Sequence, residues 1–234
     1  LLAEPIRHIE VPGFAAVIFR RTFAQLEASG GPWPESEALY PATGATSTWM
    51  RWRWPSSATV QFSHLQHAKD RLSWKGAQIA LIEFDQLEDF EEEQFWYLVS
   101  RNRSTCGVRP YIRATVNPVP EGDPIGGWVA RLISWWIGED GYPLPERAGV
   151  LRWFARDGTD LIWGASKAEI VARMKPRPVA PKSLTFIPMD VEENTTLLAQ
   201  DPDYLATLEA LRGPDAPAPR ELESDRARGH DLPA

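Results

Sequence analysis

The run 78–84 (QIALIEF) constrains the fold more than any other stretch of this chain. It follows Gly76, ends at Asp85, and has the length and bounding residues of a strand buried on both faces. Such a strand needs a packed layer on either side. Residues 14–20 (FAAVIFR), after Pro12-Gly13, give a second short apolar run, and residues 59–64 (TVQFSH) alternate like a third strand. Residues 91–101 (EEEQFWYLVSR) open with acidic side chains and close with Arg, the polarity that complements a helix dipole. Residues 111–116 (YIRATV) form another strand, stopped by Asn117-Pro118. Strands alternating with helices predict an α/β fold of three layers around a mainly parallel sheet. Ligands on such sheets bind at the carboxyl ends of the strands, where Asp85 and Asn117 are expected to lie.

Further on, residues 128–137 (WVARLISWWI) read as a helix, residues 150–156 and 160–163 as a hairpin around Asp157-Gly158, and residues 183–188 as one more strand. A last helix is expected over 202–211, with Asp201 as its cap. The 234 residues, 43% of them apolar, suffice for one substantial core over residues 1–212. Residues 213–234 are rich in Pro, Ala, Asp and Arg and are expected to be a disordered tail. No stretch approaches the roughly 20 apolar residues of a membrane span, so a cytoplasmic protein with no membrane partner is expected. The single Cys106 excludes an internal disulfide and a cysteine-rich zinc site.

The net charge of −7 opposes nucleic-acid binding by bulk electrostatics, so any such contact needs a local basic surface. Arginines cluster at Arg51 and Arg53, then at Arg101, Arg103, Arg109 and Arg113. Clusters of this kind suit phosphate, although they pair with surface carboxylates at least as often. His64 and His67 lack further ligands at metal-binding spacing and read as a polar loop. The tryptophans of the apolar segments, Trp135, Trp136 and Trp153, read as packing.

Residues 79–87 (IALIEFDQL) have the form of a Walker B strand, in which the acid at the strand end, Asp85, reaches a magnesium ion on a nucleotide phosphate. An Asp that merely caps the following turn gives the same pattern. Gln86 occupies the position from which a motor ATPase orients the attacking water. Its amide can hold water but cannot take the proton.

The block 84–118 (FDQLEDFEEEQFWYLVSRNRSTCGVRPYIRATVNP) resembles the centre of the large subunits of tailed-phage terminases. Residues 17–26, 54–64, 131–156, 182–189 and 193–211 resemble flanking segments of that family in the expected order. The resemblance implies an incomplete P-loop NTPase-like domain over residues 1–212. It further implies Asp85 as the acid that meets nucleotide-bound magnesium and Gln86 at the catalytic-base position, where the family commonly has Glu. Thr115 and Asn117 fall in the coupling motif, and Arg71 or Lys75 in the place of a base acting in trans on a neighbouring subunit. Arg101 and Arg103, read from the residues alone, suit contact with phosphate or DNA and equally the C-terminal end of the acidic helix. The cofactors implied are ATP and Mg2+. The partners implied are double-stranded DNA, the terminase small subunit, the portal and further copies of the chain, in the cytoplasm of a host cell.

The loop GxxxxGK[ST] that wraps nucleotide phosphates is missing from these residues, since the only Lys followed by Ser or Thr is Lys182, preceded by Pro181. By the resemblance that loop is expected upstream of Leu1, and a nuclease domain downstream; nuclease activity is not expected of this chain. Two functions remain open: a fragment of the ATP-driven DNA-packaging motor, or a non-catalytic prophage remnant or subunit-interaction fragment.

Overall fold

A computed structural model describes residues 1–211, so the expected tail at 213–234 lies outside the described residues. The chain divides into two compact units, Leu1–Leu132 and Ile133–Ala234.

The first unit is built on a six-stranded sheet. Its strands are β1 (Ala15–Arg20), β2 (Thr46–Thr48), β3 (Arg51–Arg53), β4 (Thr59–His64), β5 (Leu81–Phe84) and β6 (Tyr111–Ala114), in the order β2-β3-β4-β1-β5-β6. Strands β4, β1, β5 and β6 run parallel, while β2 and β3 join the far edge antiparallel. The helices are α1 (Ala3–Ile6), α2 (Phe23–Glu27), α3 (Pro32–Leu39), α4 (Glu92–Val99) and α5 (Gly127–Ile133), the last ending at the boundary of the unit. The expected α/β architecture with a mainly parallel sheet is therefore present, and all four residues of β5 are buried.

Alternation along the strands sorts the core into two layers. Ala16, Ile18, Val60, Phe62, Trp52 and Leu81 join one buried cluster with Leu26 and Tyr40. Trp33 of α3 stacks on Trp52 at 5.6 Å. On the other face Phe19 and Phe84 stack at 5.7 Å, and Trp74, Phe90, Phe95 and Trp128 continue the aromatic contacts. Local caps fix where helices begin. Thr22 and Gln25 form a reciprocal capping box at α2, and Glu91 and Gln94 form another at α4.

The second unit holds an antiparallel sheet, β8-β7-β9, made of β7 (Arg152–Asp157), β8 (Asp160–Gly164) and β9 (Lys182–Leu184). The expected hairpin is there, with Gly158 at φ +64° where only glycine is unstrained. Helix α6 (Lys167–Met174), capped by Ser166, packs Ile170 and Met174 against Ala155. Helices α7 (Thr195–Gln200) and α8 (Tyr204–Leu211) complete the described chain.

The structure corrects several boundaries. The strand over 78–84 is shortened to β5: Ala80 still donates to the carbonyl of Ala15, but Ile79 donates to the carbonyl of Arg101. The strand expected over 183–188 is shortened to β9 at Lys182–Leu184, with one further backbone bond from Gly149 to the carbonyl of Phe186. Asp201 closes α7 rather than capping α8, which begins three residues later. Helices α3, α6 and α7 were not expected from the sequence, and of α2 only the start was, by the resemblance of residues 17–26. They are five to eight residues long, and most are set by caps and burial rather than by strong periodicity.

Glu83, within β5, is fully buried and neither carboxyl oxygen has a hydrogen-bond partner. Burial pushes its pKa up to about 8, with the charges of Glu4 and Asp85 adding to the rise and Arg113 opposing it. The folded protein therefore holds a proton that the unfolded chain releases above its usual carboxyl pKa. The stability this contributes is complete below about pH 4.5 and is lost as pH rises through about 8. Urea unfolding from pH 5 to pH 9 should show a loss of roughly 4 kcal/mol from this group. Glu83→Gln should flatten that dependence and be the more stable protein at pH 9.

Candidate active site

Strands β1, β5 and β6 end side by side, and their last residues converge on one turn. Asp85 follows β5 and donates its backbone N–H to the carbonyl of Phe19, 2.9 Å away. Gln86 then adopts a left-handed conformation, φ 60° and ψ 73°, which reverses the chain into the short 3-10 turn Leu87–Asp89. A left-handed non-glycine residue is uncommon and needs support from its surroundings. Thr115, just beyond β6, supplies it. Its hydroxyl donates to Asp85 Oδ1 at 2.7 Å and accepts from the Gln86 backbone N–H at 2.9 Å, while its carbonyl accepts from Leu87 at 2.8 Å. The residue that follows β6 thus holds three consecutive residues after β5.

Arg20, the last residue of β1, closes the other side. Its Nε lies 2.9 Å from Asp85 Oδ2, an ion pair by distance rather than a directed hydrogen bond, and its Nη1 donates to Gln86 Oε1. Both side chains are largely covered, Arg20 at 16% and Asp85 at 22% exposure, so the pair is less screened than a surface one. Asn117 follows two residues after Thr115, with its polar groups near the Glu88 carboxyl. Burial raises the Glu88 pKa, and the bonds from its own backbone and from Asn117 pull it back.

Behind this turn Arg21 donates to Gln94 Oε1 at 2.8 Å and lies 3.2 Å from Glu91 Oε1. The fully buried Gln94 in turn donates to the carbonyls of Leu65 and His67, 3.0 Å each. Gln25 reaches Asp89 at 3.4 Å. The start of α4 is therefore tied through the Gln94 amide to the segments that follow β1 and β4.

Of the residues singled out from the sequence, Asp85, Gln86 and Thr115 meet directly, while Asn117 lies near Glu88. The basic candidates gather elsewhere. Arg71 pairs with Glu93 on α4, and its guanidinium and that of Arg101 lie 5.9 Å and 5.0 Å from the centre of the Tyr97 ring. Arg103 donates to the carbonyl of Ala77 at 3.4 Å, and Lys75 is exposed. Asn102, between the two arginines, donates its side-chain amide to the carbonyls of Ile79, Ala80 and Tyr111, which ties the end of α4 to β5 and β6.

Sequence reasoning passed over Arg20 and Glu83. A base at the end of one apolar strand beside an acid at the end of another was the available signal for Arg20. A carboxylate inside an otherwise apolar run was the signal for Glu83.

As to metal, the described residues contain no group of three or more His, Cys, Asp or Glu that would hold an ion by themselves. One carboxylate beside a hydroxyl at a sheet edge fits instead an ion carried largely by water and phosphate oxygens, the mode magnesium prefers.

The family model for the terminase large subunit, T4-like-virus type, N-terminal, matches residues 1–229. No curated protein matches the chain.

The Thr115 hydroxyl gives a direct test of the turn. Thr115→Val should cost about 1 kcal/mol in urea unfolding and speed amide hydrogen exchange at Gln86, whereas Thr115→Ser should keep both near the parent values. Unchanged exchange at Gln86 in the Val variant would show that the hydroxyl does not hold the turn.

Proposed function

This chain belongs to the terminase large-subunit family, subunits of the phage DNA-packaging motor, and from that premise we propose that the carboxyl edge of its sheet is the metal-facing and coupling half of an ATP-hydrolysing site. The observation that carries the reading is the Thr115 hydroxyl, bonded at once to Asp85 and to the backbone of Gln86. An acid at the end of β5 is thereby wired to the strand that must sense it.

In this reading Asp85 meets magnesium held on the phosphates of ATP. The magnesium–nucleotide pair supplies charge neutralisation at the phosphoryl group being transferred. Arg20 compensates Asp85 in its absence and has to yield part of that contact when a cation approaches, since both compete for the same carboxylate. Gln86 orients the attacking water by its amide without accepting the proton. A shift of Asp85 pulls on Thr115 and so on β6 and the segment carrying Asn117, the route by which hydrolysis is coupled to movement of double-stranded DNA.

The remaining assignments follow from family membership. In a homo-oligomer Arg71 or Lys75 acts in trans on a neighbour's nucleotide. Arg71 is engaged by Glu93 of its own chain, which leaves the exposed Lys75 the readier of the two. Arg101 and Arg103 contact phosphate or DNA, and the small subunit and portal are the protein partners, in the host cytoplasm. Among the described residues no helix is long and apolar enough to cross a membrane. Residues 1–212 form part of the ATPase domain.

Gln86 in place of Glu favours a second reading, a non-catalytic prophage remnant or subunit-interaction fragment. Magnesium-ATP binding and hydrolysis by this chain, beside a version extended to include any in-frame phosphate loop, separate the two. The motor reading expects hydrolysis in the extended protein, reduced on the order of a hundredfold by Asp85→Ala, and raised by Gln86→Glu. If neither version binds ATP, the motor reading fails and the remnant reading stands.

A further inference from the structure

Most arginines of the first unit that lie near a carboxylate are neutralised by it: Arg20 by Asp85, Arg21 by Glu91, Arg71 by Glu93, Arg113 by Glu4 and Arg131 by Glu92. Arg51 and Arg53 differ. Both are exposed on β3, two residues apart and so on the same face of the sheet, and among the described residues neither is in an ion pair. Arg51 Nη2 donates to Gln61 Oε1 at 2.5 Å, a neutral acceptor that positions the guanidinium without cancelling its charge.

The register shows what surrounds them. Arg53 lies between Thr46 of β2 and Thr59 of β4, and Arg51 between Thr48 and Gln61. Ser63 continues the row along β4, and the intervening residues Trp52, Val60 and Phe62 are buried in the opposite layer. Helix α3, with Glu35 and Glu37, packs on that opposite layer through Trp33 and Trp52. The exposed face of β2, β3 and β4 therefore carries two cations, hydroxyls and an amide, and no carboxylate, on a chain whose net charge is −7.

At the end of this face the β2–β3 turn presents Trp49, 77% exposed, with Met50 held at φ 55°. Trp49 lies 5.5 Å from Phe23, and with Arg51, Gln61 and His64 the two rings line a cleft of about 360 Å³. The antiparallel register puts the turn beyond Gln61, towards His64, at the same edge of the sheet as Asp85.

We propose that this face of β2, β3 and β4 is a contact surface for the phosphate backbone of double-stranded DNA, with Arg51 and Arg53 on successive phosphates and Trp49 against the sugar edge. Free guanidinium groups flanked by hydroxyl and amide donors are the chemistry that positions a phosphate backbone, and such contacts carry no base sequence. The choice of duplex DNA rests on the packaging-motor reading; the basic face itself does not.

The test is fluorescence anisotropy of a labelled duplex with the full chain, titrated across salt concentrations without nucleotide. Arg51→Gln with Arg53→Gln should weaken binding at least tenfold and reduce the slope of log affinity against log salt by about 2. A charge-matched pair elsewhere on the unit, Arg7→Gln with Lys69→Gln, should leave the affinity within about twofold and the protein folded by circular dichroism. An unchanged slope in the Arg51/Arg53 variant overturns the proposal, as does absence of duplex binding by the parent chain at low salt. Poly-glutamate binding as tightly as the duplex, and lost in the same variant, overturns it in favour of an acidic protein partner. A chain that binds duplex in this way but never binds ATP would sink the motor reading alone.

Discussion

Burial of β5 on both faces is the constraint from which the rest of the first unit follows. Leu81 belongs to one aromatic-rich layer and Phe84 to the other, so neither layer can be removed without exposing the strand. The same burial places Glu83 where its carboxyl has no partner. A protonated carboxyl is then the state the fold accommodates, because the cost of burying an unpaired charge exceeds that of holding a proton. A strand so confined cannot slide, and the residue that leaves it, Asp85, emerges at a fixed point on the sheet edge.

What happens at that point depends on neighbours distant in sequence. Thr115 reaches Asp85 and Gln86 across 30 and 29 positions, and Arg20 reaches Gln86 across 66. The turn is held from both flanks by polar groups that are only partly covered by protein. A partly exposed network of this kind can exchange partners, whereas the amides of Gln94 and Asn102, each bonded to several backbone carbonyls, act as fixed struts. The division suits a site in which a ligand shifts a carboxylate while the frame beneath stays still.

Charge distribution repeats that division on a larger scale. An acidic chain gains nothing from diffuse basicity, and most of its nearby cations are spent on internal pairs. Two arginines at the antiparallel edge of the sheet stand outside these pairs, Arg51 held by the neutral Gln61 amide, which keeps their charge available to an anionic partner.

The sequence by itself determined the fold class, the parallel core strands, the helix after Asp85, the hairpin around Gly158, and the identity of Asp85, Gln86, Thr115 and Asn117 as strand-end candidates. Those features are local: apolar runs of strand length, turn residues that bound them, and a family resemblance carried by short motifs. Only the tertiary structure decided which strand neighbours which, and hence that Arg20 meets Asp85 and that Thr115 joins Asp85 to Gln86. It also decided that Arg71 turns to Glu93, that Glu83 is buried without a partner, and that Asp201 ends one helix rather than starting another. The physical reason is that hydrogen bonds and desolvation depend on distance in space, and the register of parallel strands separated by long crossovers is set by packing of the whole layer rather than by any one segment.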